Sequence, residues 1–226
     1  MLNGVIEKTL VKVLAAGSAL ITVFIVVGPV ADPVNISKFL ATGSLSFGVA
    51  ALLIRGGFKS LWSENRVFFA AIALFAALSF ISTLTSNVPF VQNFYGEAGR
   101  ITGFLTYFFL SIFALGSASL STTEAFKKIL FGFFIAGIIN LAYGLWAWQV
   151  GDFVAWNNIY GNLLGTFGNP NFQSAFLGMI SVLLVPVILV SNLRLIYRVF
   201  GGVLLLASLY GIVLTNSIQG FFNFII

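Results

Sequence analysis

Long stretches without a charged residue are separated by short clusters of Lys and Arg. They are residues 13–31, 39–54, 67–96, 101–123, 129–151, 153–193 and 199–226. Within them apolar side chains fall all round a helix rather than on one stripe, the pattern of helices surrounded by lipid or by other helices. A span needs roughly 20 apolar residues, so most runs are long enough to cross a bilayer. Run 39–54 is short, but Lys38 and Arg55 stand at its ends and can snorkel. Two runs subdivide. Segment 153–168 is rich in Asn, Gly and aromatics and reads as a loop, followed by a helix from about Pro170 to Val190. Segment 199–214 reads as a seventh span, and the chain re-enters at 216–220 to begin an eighth. The pattern therefore predicts an all-α fold, a polytopic transmembrane helix bundle of about seven spans plus the start of an eighth. It is read as one transmembrane domain over 1–226, with a cytoplasmic N-terminus at 1–12 and an outer loop at 151–169.

Composition agrees. Hydrophobic residues make up 59% and charged residues 8% of the chain, with a mean hydropathy of +1.06. A soluble domain carries about 25% charged residues, so this chain has too few to cover itself for water. There is no Cys and no His. That removes disulfides, thiolate metal sites and the commonest general base, and no metal or cofactor is expected. The first run has basic flanks at Lys8 and Lys12, but its apolar core is too long for a cleaved signal. Pro29 also spoils the small-residue pattern before Ala31, so the run reads as an uncleaved anchor.

The net charge of +5 looks at first like a nucleic-acid signal, but its distribution says otherwise. Lys8, Lys12, Arg55, Lys59, Arg66, Lys127, Lys128, Arg194 and Arg198 fall on one side of the expected topology, and only Lys38 and Arg100 on the other. Basic residues collect on the cytoplasmic side, which puts the N-terminus inside. The partner implied is the lipid bilayer and not nucleic acid.

The cytoplasmic connections are short and charged, whereas the outer ones carry amides, glycines and aromatics. Connection 85–100 holds Asn87, Gln92, Asn93, Tyr95, Glu97 and Arg100. Connection 151–169 holds Asp152, Trp156, Asn157, Asn158, Tyr160, Asn162, Thr166 and Asn169. Five features have two readings each. In 165–171, Asn169 suits a helix cap with Pro170 in the first turn and Gly168 allowing a tight approach; Asn169 and Asn171 also suit a polar ligand. Arg100 suits an interfacial anchor or a partner for Glu97, or a bidentate grip on phosphate. Segment 215–220 suits a turn capped by Ser217, or, with Ser217 and Gln219, a non-helical lining of a cavity. Trp146, Trp148, Trp156 and Tyr160 suit the membrane interface, or a platform on which sugars stack. Gly137, Asn140 and Gly144 suit a polar helix contact or simple close packing. By the topology, Arg100 opens the fourth helix, Asn169 the sixth and 216–217 the eighth, and such N-termini attract anions.

These residues resemble a family. The segment Gly96–Glu97–Ala98–Gly99–Arg100–Ile101–Thr102–Gly103 is similar to the outer-face G-x-x-x-R-x-x-G element of O-antigen ligase-like proteins. Gly165–Thr166–Phe167–Gly168–Asn169–Pro170–Asn171 and Thr215–Asn216–Ser217–Ile218–Gln219–Gly220 resemble the segments before and opening their shared ligase/polymerase region. The resemblance runs from about Tyr95 to the end; the earlier spans match only in hydropathy. It implies a membrane glycosyltransferase that moves a glycan from an undecaprenyl-pyrophosphate carrier to a lipid, glycan or protein acceptor. The reaction would take place on the outer side of a bacterial cytoplasmic membrane. It further implies that Arg100, Asn169, Asn171, Ser217 and Gln219 contact substrate, and that a His in a later outer loop is the general base.

The chain departs from the pattern where Ser217–Ile218–Gln219 stands in place of Ser-Arg, and in having no His. No catalytic residue is assigned. The apolar run at 221–226 is also too short to cross roughly 30 Å at about 1.5 Å per residue. The expectation is therefore an N-terminal part of a longer protein, incomplete as an enzyme. Two other classes stay open, a transporter or flippase-like protein and a non-catalytic assembly subunit. No internal repeat marks a transporter, and the charges sit at span boundaries rather than at the midplane.

Overall fold

The structure, a computed structural model, describes residues 4–28, 32–154, 158–190 and 193–225, with the side chains of 58–61, 63–64 and 224–225 outside that description. Every regular element among the described residues is helical. They are α1 (Gly4–Val23), α2 (Asn35–Thr85), α3 (Phe90–Tyr95), α4 (Phe104–Ala118), α5 (Thr123–Val150), a 3-10 turn (Gly165–Phe167), α6 (Pro170–Leu189), α7 (Leu195–Leu214) and α8 (Gln219–Ile225).

Five stretches are long and apolar enough to cross a membrane: Asn35–Gly57, Asn65–Thr85, α5, α6 and α7. Their outward faces are paved with large apolar side chains, among them Val67 at 77% and Leu206 at 69% exposure. A soluble monomer rarely shows contiguous apolar surface on that scale, and a bilayer is the solvent that suits it. Two expected spans fall short of the same test. α1 carries Glu7, Lys8 and Lys12 within its length, and α4 has 15 residues, about 22 Å of helix against roughly 30 Å of hydrocarbon.

α2 contains two of the five stretches. Its hydrogen bonding is nearly continuous, but Gly57 (φ 90, ψ 86) and Asn65 (φ −130, ψ 30) leave helical geometry. The sequence reading places a loop here, and what the structure has is a break between two helical arms. α3 lies inside the connection read as outer, 85–100.

By backbone packing the chain forms two compact units, Met1–Ile21 with Ala31–Gly132, and Thr22–Val30 with Phe133–Ile226. In the first, Leu10, Leu14, Val49, Leu53 and Phe69 form the buried centre, with Ile112, Phe113 and Leu115 of α4 packed on it. The ends of its helices are tied by side chains. Lys38 Nζ donates to Ile21 O (3.0 Å) near the end of α1, and Asn65 Nδ2 reaches Ala118 O (3.4 Å) at the end of α4. Each takes up a terminal carbonyl with no partner inside its own helix. In the second unit, Leu177, Ile180 and Leu184 of α6 and Ile212 of α7 are almost fully buried. Gly137 is packed on Ile180 and Gly144 on Leu163, with their missing Cβ atoms 3.0–3.1 Å from those side chains. Close packing thus accounts for these two glycines. Arg198 Nε donates to Ile188 O (2.8 Å) and closes the end of α6.

Candidate functional site

Arg100 belongs to the first unit and the other four predicted site residues to the second. It sits in the connection from α3 to α4. α4 starts at Phe104 with Gly103 as its N-cap, so Arg100 precedes the helix and does not open it. The connection is a closed loop. Gly103 N donates to Tyr95 O (3.3 Å), and the backbones of Gly96 and Gly103 touch at the neck. A Cβ on Gly103 would lie 2.5 Å from Tyr95 C and 2.6 Å from Phe94 O, and one on Gly96 2.7 Å from Ile101 Cα. Side chains cannot occupy those spaces, which explains the glycine at each end of the motif. Inside the loop, Arg100 N and Ile101 N both donate to Glu97 O (3.0 Å each). Gly99 O accepts from Asn35 Nδ2 (2.8 Å), and Asn35 is itself held by Asp32 (2.7 and 3.0 Å).

Ile101 has φ 40, a strained conformation for a β-branched residue. The loop is therefore held on several sides, and Arg100 is exposed on it. Among the described residues its guanidinium makes no ion pair, including with Glu97. A hollow of about 390 Å³ opens at the neck, lined by Ser79, Ser82, Thr83, Asn93, Thr102 and Tyr107 among others.

In the second unit the cap reading of Asn169 holds. Its Oδ1 accepts from Asn171 N (2.9 Å) and Phe172 N (3.4 Å), with Pro170 in the first turn and Gly168 left-handed at φ 60. Such a cap contributes about 1 kcal/mol. Asn171 is exposed beside it. The start of α6 packs on the turn before α8. Ser174 Oγ donates to Ser217 O (3.0 Å) and accepts from Gly220 N (2.9 Å). Ser217 Oγ in turn accepts from Gln219 N (3.4 Å), as a capping residue would. Gly178 and Gly220 meet backbone to backbone, the Cβ of Gly178 falling 2.5 Å from Gly220 O. Ser217 is buried in this contact, and Gln219 is exposed. Asn169, Asn171, Ser217 and Gln219 are thus gathered around one end of α6.

What the sequence reading missed is how deep the preceding loop runs. Leu163 is fully buried and Thr166 nearly so. Thr166 is seated by Asn140, whose Nδ2 donates to Thr166 Oγ1 (2.6 Å) while its Oδ1 accepts from Thr166 N (3.1 Å). Thr166 Oγ1 donates onward to Thr22 O (2.8 Å), and Leu163 N to Leu214 O (3.0 Å) at the end of α7. Asn140 stands ten residues before the end of α5 at Val150, about 15 Å along the helix. The loop therefore dips into the unit, which is where non-helical backbone is tolerated in a membrane protein. Gln173 is fully buried beside it, close to Gly165, and neither amide atom has a partner among the described residues.

Above this plug lies a cleft of about 330 Å³ between the end of α5 and the loop. Trp148 walls it, with Nε1 donating to Gly161 O (2.9 Å). Asn158 and Asn162 line it and brace each other (2.8 and 3.0 Å), and Asn216 Nδ2 holds Asn162 Oδ1 (2.7 Å). Asp152 accepts from Tyr143 Oη (2.6 Å) and Val154 N (2.9 Å). Trp146 packs on Phe153 (5.0 Å) and Tyr143 (6.4 Å) instead, and Tyr160 is exposed. Trp156 and Asn157 lie outside the described residues. A scan against protein-family models finds no match to this chain, and searches of curated proteins and of solved structures find none either.

Proposed function

We propose that this chain is a membrane glycosyltransferase component of O-antigen ligase or polymerase type, and that Arg100 grips the pyrophosphate of a lipid-linked glycan. The observation that carries the reading is the state of Arg100: exposed and without an ion pair among the described residues, on a loop closed by two touching glycines and strained at Ile101. A merely interfacial arginine needs only a flexible stem to reach water. A bidentate phosphate ligand gains from a fixed backbone, because less freedom is lost on binding. The hydroxyl-lined hollow at the neck gives a place for the neutral part of the carrier headgroup.

The proposal extends to seven crossings with the N-terminus inside and to a bacterial cytoplasmic membrane. The distribution of Lys and Arg supports that orientation. The acceptor is a lipid, a glycan or a protein. The chain holds no His, so carrier binding is the role assigned to it and the general base is not.

The test is glycan transfer in cells carrying Arg100→Ala or Arg100→Lys. Transfer is expected to fall at least about tenfold in both, since Lys lacks the bidentate fork, while membrane insertion is unchanged. Normal transfer with Arg100→Ala would reduce Arg100 to an anchor. One observation favours a second reading, the passage of a lipid-linked sugar: buried amides at Asn140 and Gln173 beside a loop that re-enters the unit. Uptake or flipping by the purified protein, without transfer, would select it.

A further inference from the structure

We infer that the cleft walled by Trp148 binds one neutral sugar ring, with the indole face against the ring and the amides of Asn158 and Asn162 on its hydroxyls. The inference deepens the transferase reading and rests on it for the source of the sugar.

Size comes first. At about 330 Å³ the cleft is at the small end of ligand sites, which run from roughly 300 to 1,000 Å³. Charge comes next. No Lys or Arg is among its described lining residues, and a carboxylate, Asp152, is. An anionic ligand such as pyrophosphate is therefore disfavoured here, as it is not at Arg100. An organic cation is a poorer fit as well, because such ligands are held by a cage of several aromatic faces and among the described residues this cleft has one indole. What remains is an uncharged ligand with one apolar face and several hydroxyls.

The polar groups are set in advance. Trp148 is 41% exposed, yet its Nε1–H points to Gly161 O rather than to water, which fixes the plane of the ring. Asn162 uses its Oδ1 on Asn216, and among the described residues both N–H groups of its Nδ2 are left for a ligand. Asn158 spends one N–H on Asn162 O and keeps the other. Gly144 and Ala147 on α5 and Gly151 just past its end lie beside the indole. Their small size clears the trough into which a ring would lie.

The experiment uses the whole chain in nanodiscs and the methyl glycosides of glucose, galactose, N-acetylglucosamine and rhamnose as probes, with binding read by saturation-transfer NMR. At least one glycoside is expected to bind saturably in the millimolar range. Trp148→Ala is expected to weaken that binding at least about fivefold, from the loss of a stacking contact. Ala147→Leu, which fills the trough and removes no polar group, is expected to abolish it. Trp148→Phe keeps a stacking face and is expected to stay within a few-fold of wild type. A photoreactive glycoside on the unmutated chain should label the end of α5 or residues 158–162, and this readout does not depend on any variant folding.

Absence of binding by every glycoside, labelling elsewhere, or binding indifferent to both Trp148→Ala and Ala147→Leu would overturn the inference. So would tetramethylammonium or inorganic pyrophosphate displacing the glycoside by occupying the cleft. The two proposals fail separately. Transfer that depends on Arg100 in a chain that binds no glycoside leaves the transferase and removes the sugar cleft; glycoside binding in the cleft with transfer indifferent to Arg100 does the reverse.

Discussion

Replacing Asn140 with Leu tests whether the loop ahead of α6 is seated inside the second unit. Asn140 is fully buried and makes two hydrogen bonds to Thr166, one through each end of its amide (2.6 and 3.1 Å). Leu keeps the branching at Cγ, and its bulkier methyl groups add some overpacking to the chemical change. The Thr166 N–H is left buried with no acceptor, and Thr166 Oγ1 loses a donor while keeping its own bond to Thr22 O. Stranding a buried donor costs about 1–3 kcal/mol. Hydrogen bonds between side chains in membrane proteins average only about 0.6 kcal/mol and reach about 1.7. The expected loss for Asn140→Leu is therefore about 2–4 kcal/mol, mostly from the orphaned N–H. Thr166→Val keeps that N–H and removes the hydroxyl, so a double-mutant cycle between the two isolates the side-chain bond, with an expected coupling of about 0.6–1.7 kcal/mol. Reversible unfolding in mixed micelles by titration with a denaturing detergent gives all four stabilities. A loss for Asn140→Leu below about 0.5 kcal/mol, with no coupling, would mean that the loop is not held as described.

Two further outcomes follow from the same kind of reasoning. Gly103→Ala should force the neck of the Arg100 loop open, costing about 1–3 kcal/mol and speeding tryptic cleavage after Arg100. Gly48→Ala, a helical glycine with nothing near its missing Cβ, should do neither, and equal behaviour of the two would refute the neck. Gln173→Met should stabilise the chain by about 1–2 kcal/mol in the same micelle titration, because it removes a desolvated amide without a partner; destabilisation would reveal a partner such as a buried water.

Local chemistry was legible in the sequence and non-local pairing was not. Asn169 and Pro170 could be read as a helix start because a cap acts within three residues. The charge-free runs located the helices, since lipid tolerates few charges in any arrangement. The same charges located the break between the arms of α2, at Gly57 and Asn65, but not its form. Arg55 and Arg66 signal where a chain approaches water, and they say nothing about whether its hydrogen bonding stops. α3 is six residues long, too short to leave a periodic signature. At the site, the spacing of Gly96 and Gly103 was visible, but its cause, two backbones in contact, exists only once the loop closes. Asn140 and Thr166 are 26 positions apart, and nothing in either neighbourhood announces the other.

The plug formed by 163–166 also sets an order of assembly. Its anchors include Leu214 O and Asn216, and Asn216 emerges 54 residues after its partner Asn162. At about 5–20 residues per second, that is a wait of roughly 3–10 s. During it, Leu163 lacks its final carbonyl, Leu214 O, although Thr166 already has Asn140 and Thr22 O within reach. The Leu163 end of the loop therefore cannot take its final hydrogen bond until α7 has been made. Maturation of this half of the protein thus has a late step, the closing of the end of α7 over the 162–163 part of the loop.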